Sequence, residues 1–545
     1  MRKFNLCVLA SLVIIIFSLQ SSCFLSPVEP SAFTLFSHEI MRNIPEAKHN
    51  LKQLDSIKLT ALRGEYEPFA FSVYCNEACR SIAVRISDLR SGSGVNRNVD
   101  RIQIEINRLK TGRASYGIRD RILEPVTDEG VERGKSADFW VTVYVSENAD
   151  SGTYHGIMTV TSGDNGPVKI PVELKVLPAK LEEPKDVQFA MLYTVSPFGQ
   201  YFKPGMHDQL KREALEFYKE LRAHGMTAIS PKNSDWPYRK GNIDGLKAEV
   251  RTALDAGLNG PVLWYMSSLI NGAKGGKKYA YYDGKCDNWD ETRDLRNLKE
   301  IIGAVKETGK KEKWPEVVFI TVDEPGTDTE DRKILDTRME ILEKTLKTVH
   351  ETGAKGAATL TEPLDDKHNN PPFVKVQNEL RDRWNNVRPY CDIRIYGYSY
   401  PQGQTNLYAE KDDSERRGHE MWFYNNKAVM GNDRHMARVF FGLWGWKVGA
   451  KGLTAWTYPG KRTVQWELVR EGIDDFKYLS LIERLLKTRA KGDSDRTEAE
   501  RFLQEISGKV ELDKDGYIKD RESWEDFDFV TFRHEAGGII EKLSI

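Results

Sequence analysis

The stretch "LRNLKEIIGAVKETGKKEKWPEVVFITVDEPG", residues 295–326, carries a helical run, a Gly-marked break and a β-branched run that stops on Asp323, Glu324 and Pro325. This order of helix, Gly and strand recurs along the chain. Leu210, Ala214, Phe217, Tyr218 and Leu221, spaced three and four apart, mark a helix that ends at Gly225 and leads into "MTAIS". "LKAEVRTALDAG" precedes "PVLWYM", and "MEILEKTLKTVHETG" precedes "AKGAATL". "FVKVQNELRDRW" precedes "CDIRIYG", a charged stretch precedes "EMWFYNN", and "HMARVFFGLWGWKVG" precedes "GLTAW". With "VQFAMLYTV" as the first, the count is eight strands, which predicts a (β/α)8 TIM-type barrel over residues 186–465. "EVVFITV" is then strand four, and Asp323 and Glu324 fall at the C-terminal rim, where such barrels place their chemistry.

Residues 31–178 follow a different period. Phe69, Phe71 and Val73 alternate with small or polar residues, as do Val141, Val143 and Val145, and "VKIPVELKV" alternates without a break. Turn clusters such as "ENADSGTY" separate these runs, so the region reads as an antiparallel β-sandwich. "LPAKLEEPKD" reads as a Pro-rich, charged linker to the barrel. Residues 466–545 read as a C-terminal helical extension packed on the barrel.

The 545 residues carry 80 Lys and Arg against 81 Asp and Glu, a formal charge of -1 with no basic stripe, which argues against a nucleic-acid partner. Residues 1–23 have the layout of a secretory leader: Arg2 and Lys3, an apolar run from Leu6 to Phe17, then small polar residues up to Cys23. The ending "LQSSC" resembles a bacterial lipoprotein cleavage box, so the expectation is an exported protein, lipid-anchored through Cys23 at the cell envelope, with simple secretion as the alternative. Cys75 and Cys79 are close enough in sequence to pair in an oxidising compartment.

Two adjacent carboxylates beside an apolar strand are costly unless they are paired or used. Glycoside cleavage usually takes two carboxyl groups, a proton donor and a nucleophile or water base. Among the other strand ends only Glu362 in "TLTEP" and Asp235 in "PKNSDW" offer an acid. The adjacent pair suits a different mechanism, in which the substrate's own 2-acetamido oxygen attacks the anomeric carbon. Glu324 would then be the acid/base, and Asp323 would orient the acetamido N–H. Pro325 would break the pleat so that both acids turn into one pocket. Rim aromatics offer platforms for sugar C–H faces: Tyr193, Trp236, Trp264, Tyr398, Tyr400, Trp422, Tyr424, Trp456 and Tyr458. The candidate substrate contacts are Trp456, Tyr424, Tyr398, Trp422, Trp264, Asn425 and Glu362, with Trp456 and Tyr424 preferred because they lie at the last strand ends; Asn426 is a further hydrogen-bonding candidate.

Five stretches together carry a resemblance: "RGEYEPFAFSVY", "FWVTVYVSENADSGTYHGIMTV", "VDEPG", "GLTAWTYPG" and "WELVREGIDDFKYL". On these the chain resembles glycoside hydrolase family 123, exo-acting β-N-acetylgalactosaminidases, and the wider group that shares its barrel. The resemblance covers nearly all of the chain beyond the leader. It implies hydrolysis of terminal β-linked N-acetylhexosamine from a glycan, with Asp323 orienting the acetamide and Glu324 as acid/base, and with no cofactor. Arg470, Asp474 and Asp475 of the last stretch read as a structural ion network.

"ELDKDGYIKDRE", residues 511–522, matches a calcium loop in part, but "DKDG" also reads as a hairpin turn. No HExxH, P-loop or G-x-S-x-G pattern occurs, and no metal site is expected. Two other readings stay open: a glycosidase of different specificity that uses Glu324 with Glu362, and a non-catalytic glycan-binding surface lipoprotein.

Overall fold

The computed structural model describes residues 32–41, 52–91, 101–163, 165–192, 207–231, 243–266, 289–325, 332–360, 383–398, 406–431, 433–490, 493–519, 524 and 527–544. The leader with Cys23 lies outside the described residues. Among the described residues the N-terminal part holds ten strands: β1 (Phe33–His38), β2 (Ile57–Arg63), β3 (Tyr66–Cys75), β4 (Ala83–Ile86), β5 (Arg90–Ser91), β6 (Ile102–Arg113), β7 (Arg119–Pro125), β8 (Ser136–Val145), β9 (Gly152–Ser162) and β10 (Asn165–Lys180).

One sheet has the order β1-β3-β8-β6-β7 and is antiparallel throughout; the other has the order β2-β10-β9-β4, with β5 also on β9. Alternation dictates the packing: Leu35, Phe71 and Val141 of the first sheet share one core with Leu59, Met158 and Val172 of the second. The expected purely antiparallel pairing is corrected at β2, which runs parallel to β10. Gly64, at φ 86°, turns the chain out of one sheet and into the other, so β2 and β3 do not form a hairpin. The Glu65 carboxylate accepts the Leu62 N–H at 2.6 Å and holds that turn. The expected linker is also shortened, because β10 continues through "LPAK" to Lys180, with Leu177 and Leu181 buried.

The second part is a curled parallel sheet of β11 (Gln188–Met191), β12 (Val262–Tyr265), β13 (Val317–Asp323), β14 (Lys355–Leu360), β15 (Ile393–Gly397), β16 (Glu420–Tyr424) and β17 (Gly452–Ala455). Its order is β11-β17-β16-β15-β14-β13-β12. The expected strand "MTAIS" is reduced to one parallel bridge, Ile229 to Val262. It still joins the two edges: Ala228 donates to the Phe189 carbonyl at 3.0 Å, and Leu263 donates to that of Ile229 at 2.7 Å. The Thr227 hydroxyl accepts the Phe189 N–H at 3.0 Å, so a side chain replaces a ladder bond and the regular strand is lost.

Helices α1 (His207–Ala223), α2 (Asp244–Asp255), α3 (Glu291–Glu312), α4 (Arg332–Glu351), α5 (Leu407–Arg417) and α6 (Val464–Leu486) accompany these strands, followed by α7 (Ser494–Lys509) and α8 (Phe529–Ser544). The single helix expected in "HMARVFFGLWGWKVG" is broken by a π-turn at Phe440–Trp444. There a Cβ on Gly442 would stand 2.8 Å from the Gly472 carbonyl oxygen of α6, so the two backbones pack directly.

α6 is buried around most of its circumference rather than on one face. Arg438 and Arg533 both grip Asp475, each with a 2.6 Å contact. Arg533 also reaches Glu65 of the N-terminal part at 2.6 Å, and Tyr478 donates to the same carboxyl at 2.8 Å. Arg470 pairs with Glu467, and Asp474 with Lys477. The "RGEYEP" and "REGIDDFKYL" stretches thus meet in one buried ion network that ties the N-terminal sheets to the helices.

Candidate active site

Strand alternation sorts the parallel sheet into two faces. Leu263, Tyr265, Val318, Ile320, Ala357, Ile395, Trp422 and Tyr424 point inward to one core, while Trp264, Phe319, Tyr396 and Phe423 point outward under the helices. Continued along β13, this period would turn Asp323 outward. It does not, because the register slips: Ile320 lies opposite Ala357, but Asp323 lies opposite Thr359, so β13 carries one extra residue. Thr321 and Val322 both face α4. The Thr321 and Thr345 hydroxyls are hydrogen bonded at 2.8 Å, and Val322 packs with Leu342. This bulge resets the alternation and brings Asp323 to the inner face.

Glu324 follows in the left-handed region at φ 44°, a conformation that costs a non-glycine residue about 1–3 kcal/mol. Thr359 holds it there. Glu324 donates its backbone N–H to both the Thr359 carbonyl and the Thr359 hydroxyl at 3.1 Å. The same hydroxyl donates to Asp323 Oδ1. Both acids therefore face one site, through a bulge and a left-handed residue rather than through the proline alone.

From across the sheet, the Tyr424 hydroxyl donates to Glu324 Oε1. Its ring lies over Gly397, where a Cβ would stand 2.8 Å from the tyrosine oxygen. Burial first, and then the Glu324 charge, push the Asp323 carboxyl up from 3.8 to about 7, while the Thr359 hydrogen bond pulls it back. The sequence reading gives the acid/base role to Glu324, whereas the shift seen here falls on its neighbour Asp323. Among the described residues no donor reaches Asp323 Oδ2.

Trp456, directly after β17, packs on the inner core and donates its backbone N–H to Asn426 Oδ1 at 3.0 Å. Asn425 is buried; its side chain accepts the Lys427 N–H at 3.1 Å and so builds the turn after β16 rather than facing a ligand. Three other expected contacts are corrected. Trp264 faces outward against Phe319. Tyr398 packs among Phe440, Trp444 and Tyr517 behind the sheet. Trp422 faces inward but lies fully buried one layer below Tyr424, with its indole donating to Glu420 at 2.9 Å. Tyr458 packs on Phe217 and Trp466 instead. Glu362, Asp235, Tyr193, Trp236 and Tyr400 lie outside the described residues.

Thr359, Gly397 and Tyr265 are the inner-face residues that sequence reasoning missed. Parity offered a signal for Tyr265, since it shares an inward register with Leu263; nothing in the sequence singles out Thr359.

Cys75 and Cys79 are buried free thiols, and burial pushes Cys75 up to about 12. In the "DKDG" turn, Asp513 Oδ1 accepts the N–H groups of Asp515 and Tyr517 at 2.9 and 3.0 Å, and Leu512 bridges Ile518, which is a hairpin. Among the described residues no group of His, Cys, Asp and Glu is placed to hold a metal ion.

No protein-family model matches the chain, and no curated protein matches it. Solved structures do. GH5_18 from Bifidobacterium longum is 13% identical, covering 53% of this chain and 78% of that one at a TM-score of 0.33. A family 1 β-glucosidase from Thermotoga maritima is 10% identical over 54% and 99%, at 0.34. A family 123 glycoside hydrolase from Clostridium perfringens, described for glycolipid glycan hydrolysis, is 12% identical and covers 94% of this chain and 98% of that one, at a TM-score of 0.62. Over almost its whole length, the chain resembles a family 123 glycoside hydrolase in fold.

Proposed function

We propose that this protein is an exo-acting glycoside hydrolase that removes terminal β-linked N-acetylgalactosamine, or a related N-acetylhexosamine, with retention of configuration. The observation that carries this reading is the turning of two consecutive acids, Asp323 and Glu324, toward one inner-face site. In the proposed reaction the substrate's acetamido oxygen attacks C1 as the glycosidic C1–O bond breaks, and Glu324 gives its proton to the departing oxygen. Asp323 accepts the acetamido N–H through Oδ2 and balances the positive charge of the oxazolinium ring. Water then adds to C1, Glu324 takes its proton, and the acetamide is restored. The Tyr424 hydroxyl can rotate, donating to Glu324 when it is ionised and accepting when it is protonated, so it fixes the carboxyl through both steps.

In this reading the parallel sheet closes through residues 226–230 as a (β/α)8 barrel, and the two N-terminal sheets form a sandwich. The substrate is the non-reducing end of a glycolipid or other glycan. The leader would export the chain and Cys23 would anchor it at the cell envelope.

The test is nitrophenol release from the β-N-acetylgalactosaminide by wild type and Glu324→Gln, with the plain β-galactoside alongside. Turnover of the acetamido sugar alone, lost in the variant, is expected. Cleavage of the β-galactoside, or of neither sugar, would remove the role given to Asp323.

A further inference from the structure

Residues 456–463 connect the rim to α6, and they are held from two sides. At the inner end, Trp456 is fixed by Asn426. At the other end the holding groups come from the N-terminal sheets. Ser115, which opens the helical turn Ser115–Gly117 between β6 and β7, donates its N–H to the Pro459 carbonyl at 2.9 Å. Leu123 donates to the Arg462 carbonyl at 3.0 Å, beside an antiparallel bridge between Ile122 and Thr463. Asp120 Oδ2 accepts the Gln465 N–H in the first turn of α6 at 2.9 Å. The fit at Gly460 is close: it sits at φ 73°, and a Cβ there would stand 2.5 Å from Ser115 Oγ. The segment is thus held at two points, by the turn between β6 and β7 at Pro459 and by a single antiparallel bridge to β7 at Thr463.

We propose that the β6–β7 hairpin positions Trp456 as a sugar platform, which makes the N-terminal domain part of the substrate site rather than a neighbouring module. This rests on the hydrolase reading above, in which the indole of Trp456 stacks on the apolar face of a hexopyranose. A platform contributes to binding most when it is ordered before the sugar arrives. Here the backbone bonds that order it come from Ser115 and Leu123, and Asp120 fixes the start of the helix into which the segment runs.

Ser115→Pro deletes the N–H donated to Pro459. Ala114 before it is extended, at φ -91° and ψ -175°, as a residue preceding proline must be, and the first position of a helical turn accepts proline. Asp120→Ala is the second variant. The measurements are hydrogen exchange of the amides in 456–463, and kcat and KM on the nitrophenyl β-N-acetylgalactosaminide, each in wild-type and Trp456→Ala backgrounds. Either variant is expected to speed exchange in the segment about tenfold while β15 and β16 stay unchanged, and to raise KM about five- to tenfold with little change in kcat. That KM effect should vanish in the Trp456→Ala background, because the hairpin then has no platform to position. Unchanged exchange in both variants would overturn the proposal, as would a KM effect that persists without Trp456. If wild type cleaves no acetamido sugar, the hydrolase reading fails separately, and the exchange rates alone decide whether the hairpin holds the segment.

Discussion

Asp323→Asn should make the protein more stable and less active, and the gain in stability should depend on pH in a defined direction. Because the folded-state carboxyl of Asp323 sits at about 7 rather than 3.8, the folded state holds this proton more tightly than the unfolded chain does. The penalty is absent below pH 4, grows between about 4 and 7, and is complete above 7. A displacement of that size corresponds to at most about 4 kcal/mol, and solvent contact at this half-buried position reduces the working expectation to about 2 kcal/mol. Asparagine cannot ionise, yet its oxygen still accepts from Thr359. Urea unfolding of wild type and variant at pH 4, 6 and 8 should therefore show no gain at pH 4 and about 2 kcal/mol at pH 8, while kcat falls about 10²- to 10³-fold. Thr359→Val removes the hydrogen bond that opposes the rise, so the wild-type decline in stability should extend to higher pH, and Thr359→Ser should restore it. A stability difference that stays flat from pH 4 to 8 would refute the reasoning.

Tyr424→Phe removes a charge-assisted hydrogen bond to Glu324, so kcat/KM should fall about 10- to 100-fold with the melting temperature nearly unchanged. Gly397→Ala should displace the Tyr424 ring and reproduce most of that loss in steady-state kinetics, since the new methyl meets the tyrosine oxygen at 2.8 Å. Arg533→Met leaves Glu65, Glu471 and Asp475 without one of their partners, so unfolding measured by denaturant should show a loss of about 3–5 kcal/mol.

The elements of this fold were legible where a period runs unbroken. "VKIPVELKV" gave a strand, and the helices before "EVVFITV" and "AKGAATL" gave α3 and α4. Errors arose where a side chain substitutes for backbone or where the period slips. "MTAIS" has strand composition, but the Thr227 hydroxyl takes a ladder position. Trp264 and Tyr398 were named as rim aromatics, whereas their neighbours Tyr265 and Gly397 were not. In each pair the alternation of the strand puts the overlooked residue on the inner face. The parallel pairing of β2 was out of reach of any local pattern, since it depends on a partner more than a hundred positions away.

The position of the two acids shows why parity alone could not have been sufficient. On a regular strand only one of two neighbours can face inward, so a reaction that needs both acids at one site needs a break in the strand. β13 breaks twice. The extra residue at Thr321–Val322 brings Asp323 inward, and it is stabilised by outward packing on α4. The left-handed turn at Glu324 then brings the next side chain to the same face, held by the carbonyl and hydroxyl of Thr359. The two devices have different supports, one behind the sheet and one within it, so they should fail separately. Loss of the Thr321–Thr345 contact would misdirect Asp323, whereas loss of the Thr359 hydroxyl would release Glu324 and change the proton affinity of Asp323 together. Thr359 is therefore the residue through which the geometry of one acid and the charge state of the other are coupled.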